Sequence, residues 1–218
     1  MLTEQLLEIA QSSMETIYMV MLSGGIALII GAPLGTLLFI MQNPRLSPSP
    51  ILYQLFSFII NTLRAIPFII LMLLCMPLTK AIVGTTIGTT ATIIPLSLAA
   101  IPFMARLVEQ TLSHIPDELL EAGVAMGATV YQMTRYILLP EALASLIQGI
   151  GMMLINLIAY SAMAGAIGGG GLGDFAIRYG YHRFDTVMLL IATSLLVGLA
   201  QLMQLLTEYL SQRFKHGL

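Results

Sequence analysis

The sequence predicts an all-α, polytopic membrane protein with five transmembrane helices and a cytoplasmic helix–turn–helix between the third and the fourth. Three observations carry that expectation. Hydrophobic residues make up 57% of the 218 and charged ones only 9%, against about 25% charged in an ordinary soluble domain. Several charge-free runs reach the ~20 residues that a helix needs to cross a bilayer. No segments of about 10 residues with alternating polarity, the mark of an outer-membrane barrel, are visible. Helices follow because lipid offers backbone amides no partner, so each span must satisfy its own. One membrane domain over 1–218 is expected, with 107–141 as a cytoplasmic loop within it.

The first span is placed at Ile17–Met41. It follows Glu4, Glu8 and Glu15 with no Lys or Arg, the wrong sign for the basic start of a cleavable signal peptide, so the helix is expected to be retained. The second, Phe56–Met76, has to enclose Arg64, and arginine near a helix centre costs at least about 2.5 kcal/mol on insertion scales. Arg64 either faces a transport pathway and attracts a carboxylate, or it snorkels or pairs with Asn61 one turn away. The residues alone favour the structural role. The third span, Val83–Arg106, ends where Arg106 and Glu109 stand three apart, a spacing that lets them pair on one helix face. The fourth, Leu146–Ile167, carries Asn156, Tyr160, Ser161 and Met163 where polar groups normally face a bundle interior or a watery path. Those four, with Arg64, are the candidates to line a polar pathway through the bundle. The fifth is Thr186–Tyr209. Pro33, Pro67, Pro77, Pro95 and Pro102 can bend their helices, and Gly24, Gly25, Gly31 and Gly35 permit close helix contact.

Basic residues accumulate on the cytoplasmic side of membrane proteins. With the N-terminus outside, the cytoplasmic segments hold Arg45, Arg106, Arg135, Arg213 and Lys215, and the external ones Lys80, Arg178 and Arg183. The C-terminus is then cytoplasmic. No phosphate-binding Walker loop is present, because neither Lys80 nor Lys215 follows GxxxxG. Gly168, Gly170 and Gly173 fit GxGxxG, but they follow a membrane helix and not a strand, so a flexible external turn or re-entrant loop is expected. Cys75 is alone in an apolar run, and His114, His182 and His216 are scattered without ligand spacing. No catalytic constellation can be assembled, which points to a non-enzyme without a metal or cofactor of its own and without nucleic acid as partner.

Between Glu109 and Glu141 the chain is too polar to span. Pro116 suits a first helical position, and Asp117 and Glu118 place negative charge at the positive end of the helix dipole. The run DELLEAGVAM then stops at Gly127, a left-handed cap. Thr129 follows as an N-cap, with Gln132 completing a capping box for VYQMTRYILL, and Pro140 is expected to stop that helix and re-aim the chain. Leu119, Leu120 and Met126 are expected to give the first short helix apolar contact points, with Ala122 and Gly123 keeping its surface low for a partner.

Glu121, Ala122, Gly123, three residues, Gly127, nine residues, Ile137, one residue, Leu139 and Pro140 resemble the EAA motif, EAAx3Gx9IxLP, of permease subunits in ATP-binding-cassette importers. Gly123 stands where that pattern prefers alanine. NTLRAIPFIILML from Asn61, VGTTIGTTATIIPLSLAAIPFMARLVEQ from Val83 and YSAMAGAIGGGGLGDFAIRYGY from Tyr160 are similar to the methionine-importer permeases of that family. The resemblance implies a bacterial inner-membrane permease that pairs with a second copy of itself, docks on two copies of an ATPase that bind ATP and Mg, and receives substrate from an extracytoplasmic binding protein. It also implies that Glu121, Ala122, Gly123, Met126, Gly127, Ile137, Leu139 and Pro140 couple the permease to the ATPase. The residues agree independently: one motif-bearing loop and no internal repeat require two chains for a two-fold pathway. A secondary transporter or channel, the alternative class, would be expected to show inverted repeats or intramembrane acidic residues, and a scaffold would bind partners without flux. Methionine itself rests on the resemblance; another amino acid is the alternative cargo.

Overall fold

The computed structural model describes residues 2–215, with side chains described over 4–214; His216 and the side chain of Lys215 lie outside the described residues. Every regular element among them is helical. Helix α1 (Leu2–Gln42) runs on well before the expected start. A short turn over 43–49 holding Arg45 leads to α2 (Pro50–Ala65), α3 (Phe68–Leu74) and α4 (Met76–Val83). Helix α5 (Thr89–Ser113) is the central span, α6 (Asp117–Ala125) and α7 (Val130–Met133) form the polar interval, and α8 (Leu139–Gly165), α9 (Gly171–Ala176) and α10 (Thr186–Lys215) complete the chain. Among the described residues four helices are long and apolar enough to cross a membrane, and the bent pair α2–α3 brings the number to five if it is one broken span.

The second span, placed at Phe56–Met76, bends at Pro67, one of the prolines named as able to bend a helix, and starts earlier, at Pro50. It breaks after Ala65 and turns by 104° into α3. Ile66 is extended (φ −74°, ψ 122°), as the residue before a proline is pushed to be, and Pro67 has no N–H with which to carry the ladder across. The third span starts at Thr89 and not at Val83, because Gly84 and Gly88 take left-handed backbone (φ +84° and +103°) that delays the helix. It then runs past Arg106 to Ser113. The Arg106–Glu109 pair forms, buried, and is extended by Ser57, which accepts from Arg106, and by the Tyr53 hydroxyl, which donates to Glu109 at 3.0 Å. It ties α2 to α5.

Pro140 does not stop its helix. Val130–Gly165 is continuous over 36 residues, because a π-turn over Thr134–Leu138 precedes the proline and the Leu139 amide donates to the Thr134 carbonyl. In an unbroken α-helix the Pro140 ring would meet the Tyr136 carbonyl; widening the ladder by one residue relieves that clash.

Helix α1 lies along α5 through a glycine edge. A Cβ at Gly31 would sit 2.8 Å from the Ile101 carbonyl oxygen, and one at Gly35 would strike that of Ala105, so these small residues set the approach of the two helices. The main core gathers Met19, Leu96, Met104, Leu112, Met153 and Leu157 from α1, α5 and α8.

The glycine run after α8 is a packed structure and not a loose turn. Gly168, Gly170 and Gly171 have φ of +80°, +79° and +75°. The N-terminus of α9, which has no side-chain cap of its own, is capped from α1: Glu15 accepts from the Gly171 amide at 2.9 Å and Thr16 from the Leu172 amide at 2.9 Å. Nearby, Arg178 donates to Glu8 and Asp174, each at 2.7 Å. This end of the bundle is opposite the one that carries α6.

Candidate functional site

Helix α6 is shaped by its two ends. Asp117 and Glu118 occupy its first turn, and Pro116 is the N-cap (φ −55°, ψ 137°), one position earlier than expected. At the other end the Ala128 amide donates to the Gly123 carbonyl at 3.1 Å and the Gly127 amide to that of Val124 at 2.9 Å. That is a Schellman pattern with Gly127 left-handed at φ +74°. Two residues on, the Thr129 amide donates to Gln132 Oε1 at 2.8 Å and the Gln132 amide to Thr129 Oγ1 at 3.3 Å, the expected capping box. The helix–turn–helix is therefore closed by its own backbone and caps.

Two expectations about the surface of α6 are corrected. Leu120 is 1% exposed and belongs to the core, so it anchors the helix and offers nothing to a partner. Gly123 is also buried: a Cβ there would overlap Met133 Sδ and come within 3.0 Å of Ile137 Cδ1. Its smallness serves the approach of α6 to the following helix, not to another protein. Leu119, Ala122 and Met126 remain exposed, Met126 by 77%. At spacings of three and four they make one apolar ridge.

Glu121 is held from outside the motif. Arg45, in the turn after α1, donates to Glu121 at 2.8 Å and to Asp117 at 3.0 Å. The Glu121 carboxylate, followed by Asp117, holds the Arg45 guanidinium above its usual pKa, the sign expected of a cation between two carboxylates. Sequence reading used Arg45 only for orientation; its partners lie 72 and 76 positions away, beyond any local signal. Ile137 is half-buried against the core beside Gly123, Leu139 is exposed, and Pro140 is half-buried at the start of α8. The motif thus divides into a polar clamp, an exposed ridge and a close contact of Gly123 with Met133 and Ile137 that joins α6 to the following helix.

The pathway candidates separate as well. Asn156, Tyr160 and Met163 lie at spacings of four and three on one side of α8, with Asn156 and Met163 exposed and Tyr160 half-buried. Ser161 is turned away: it is buried and donates to the Ile158 carbonyl at 2.8 Å. Arg64 is exposed and makes neither the hydrogen bond to Asn61 nor an ion pair among the described residues. It borders an open cavity of about 240 Å³ with Leu63, Ile66, Phe68, Leu71, Phe103 and Tyr160. Tyr160 stacks on Phe68, with centroids 4.8 Å apart and planes 6° from parallel. Among the described residues no group of three His, Cys, Asp or Glu could hold a metal.

A polytopic bundle with a capped, ridge-bearing helix at one end has clear relatives. The chain is 44% identical over 202 residues to the probable D-methionine transport system permease protein MetI of Vibrio cholerae, covering 93% of this chain and 90% of that one. It is 46% identical over 205 residues to the protein of the same description from Pasteurella multocida, covering 94% of each. Among solved structures it superposes on an inward-facing MetNI methionine ABC transporter with a TM-score of 0.90 at 42% identity, covering 92% of this chain and 93% of that one. An amino acid ABC transporter with histidines, at 17% identity and TM-score 0.78, shares the fold. The model of the binding-protein-dependent transport system inner membrane components matches residues 27–216. That match takes in α5, α6 and the whole of the clamp and ridge, and the chain belongs to this family of multi-pass inner-membrane permeases.

Proposed function

We propose that this chain is the permease subunit of an ATP-driven methionine importer, working as a pair of copies on two ATPase subunits and fed by an extracytoplasmic binding protein. The observation that carries the reading is α6: a helix fixed at both ends, clamped by Arg45, with Leu119, Ala122 and Met126 facing outward. Such a ridge fits a hydrophobic groove on a partner, and the ATPase is the partner that a chain without a Walker loop needs. Relatives at 44% and 46% identity whose descriptions specify D-methionine support the cargo.

Orientation follows from which ends meet. Arg45 after α1 touches α6, and Ser211 near the end of α10 donates to the Ala144 carbonyl early in α8. Glu8 and Glu15 lie at the opposite end with Arg178 and Gly171. If α6 meets the ATPase in the cytoplasm, the N-terminus is outside and the C-terminus inside. When the ATPases close, the two ridges move together and the bundle shifts between inward- and outward-open populations.

The test is reconstitution of this chain with the ATPase and the binding protein in vesicles. Methionine uptake is expected only with ATP and with both partners. Uptake that persists without ATP makes the chain a secondary transporter or channel and ends this reading; partner binding without flux makes it a scaffold.

A further inference from the structure

The bend between α2 and α3 leaves an exposed arginine, with no ion pair among the described residues, at the mouth of an open cavity lined in part by aromatic rings. We propose that this cavity is an amino-acid subsite in the translocation pathway, with Arg64 holding the α-carboxylate and the Phe68, Tyr160 and Phe103 rings receiving an apolar side chain. The inference rests on the importer reading and adds to it the place and chemistry of substrate contact.

Depth is the first argument. Arg64 is the fifteenth residue of α2, about 21 Å from Pro50 at 1.5 Å per residue. Ala99 and Phe103, on the far wall, are about 15 and 21 Å along α5 from Thr89 by the same measure. The hydrocarbon core is about 30 Å thick, so the cavity lies within the bundle's middle and not at the headgroups. An arginine there needs an anion to complete it, and the protein supplies none among the described residues.

Chemistry is the second. A guanidinium grips a carboxylate with two parallel hydrogen bonds. The ammonium of the same amino acid requires an acceptor. Pro67 lacks the N–H that would bond the Leu63 carbonyl, and Leu63 lines the cavity. That carbonyl, at the negative end of the α2 dipole, suits a cation beside the carboxylate. Beyond the charged end, Ile66, Phe68, Leu71 and Phe103 are apolar, and the stacked Tyr160 adds an aromatic face with a hydroxyl at its tip. A thioether gains by lying about 5 Å from an aromatic ring. The cavity is open and about 240 Å³ in volume, room for several waters or one small amino acid.

The test uses the complete complex of permease, ATPase and binding protein in vesicles, turning over ATP with photo-methionine. Cross-links mapped by mass spectrometry are expected in 63–71, 99–103 or at Tyr160, and excess methionine should compete them away. Arg64→Gln should lose these cross-links and lower uptake by about tenfold or more, the cost of one charged hydrogen-bonding partner. Arg64→Lys should restore part of both. Co-purification of the ATPase and the thermal midpoint report whether each variant still folds. Cross-links elsewhere, or cross-links and uptake unchanged in Arg64→Gln, overturn the site. So does a pair of variants that both fail to assemble, which makes Arg64 structural, or loss of uptake only in vesicles without anionic lipid, which gives the arginine to a headgroup. A wild-type complex that takes up no methionine overturns the importer reading itself, and this site with it.

Discussion

Gly127 separates a requirement for conformation from a requirement for space. Its φ of +74° puts it in the left-handed region, and a Cβ built on it meets nothing within 4 Å. The cost of Gly127→Ala is therefore the backbone cost alone, about 1–2 kcal/mol for an L-residue in left-handed helical geometry. Asparagine tolerates that region better than alanine, so Gly127→Asn should recover much of the loss although its side chain is larger. Fraying of the α6 C-terminus by about 1–2 kcal/mol means a fivefold to thirtyfold smaller folded ratio for that turn. The assay is retention of the ATPase on the purified permease, together with vesicle uptake, for the wild type, Gly127→Ala and Gly127→Asn side by side. The expected order is glycine, then asparagine, then alanine. If asparagine is worse than alanine, the position is limited by space against a partner's backbone and the conformational argument fails.

Other substitutions test the remaining parts of the site. Gly123→Ala should change thermal stability by no more than about 1 kcal/mol, because the helix gains about that much propensity while the flexible end of Met133 must move aside; Gly123→Leu should separate α6 from α7 and abolish ATPase retention. Gly35→Ala should cost about 1–3 kcal/mol of stability in detergent, as overpacking does, since the obstructing atom is the Ala105 backbone carbonyl and not a side-chain tip. Glu109→Ala should cost about 3 kcal/mol or more, the consequence of stranding Arg106 as a buried charge, read as a lowered thermal midpoint; Glu109 and Arg106 replaced together by apolar residues should lose much less.

Local chemistry was legible in the sequence and distant chemistry was not. The Thr129–Gln132 box and the Gly127 cap were readable because each is complete within six residues. The exposed ridge was half readable: period alone cannot tell that Leu120 faces the core while Leu119, one residue earlier, faces solvent. Pro140 misled because the rule that proline ends a helix assumes an α-ladder, and the π-turn at Thr134–Leu138 supplies another register. The glycine run read as loose because glycine carries no side chain to announce a partner; the groups that order it, Glu15 and Thr16, come from the first helix, 156 positions away. Gly123 looked like a trimmed docking surface for the same reason, until Met133 was found against it.

These long-range ties decide which parts of the bundle move together. Helix α6 is joined through its tight turn to the unbroken helix Val130–Gly165, which at 1.5 Å per residue is a rod of about 54 Å. The far end of that rod meets the 171–176 helix at glycine contacts where a Cβ on Gly165 or Gly173 would strike backbone, and that helix is capped by Glu15 and Thr16 of α1. Helix α1 returns along α5 to Arg45, whose guanidinium closes the circuit on Asp117 and Glu121. The rod that carries α6 is thus tied at both ends into one closed circuit of contacts. The α2–α3 bend has no ladder across Pro67 and is attached to that circuit through the Arg106–Glu109 cluster, the packing of Ile60 on Leu38 and Ala105, the burial of Phe68 and Met72 in the main core, and the Phe68–Tyr160 stack. The Phe68–Tyr160 stack, beside Arg64, is the contact through which the bend touches the same rod that carries α6, so a substitution there reaches both.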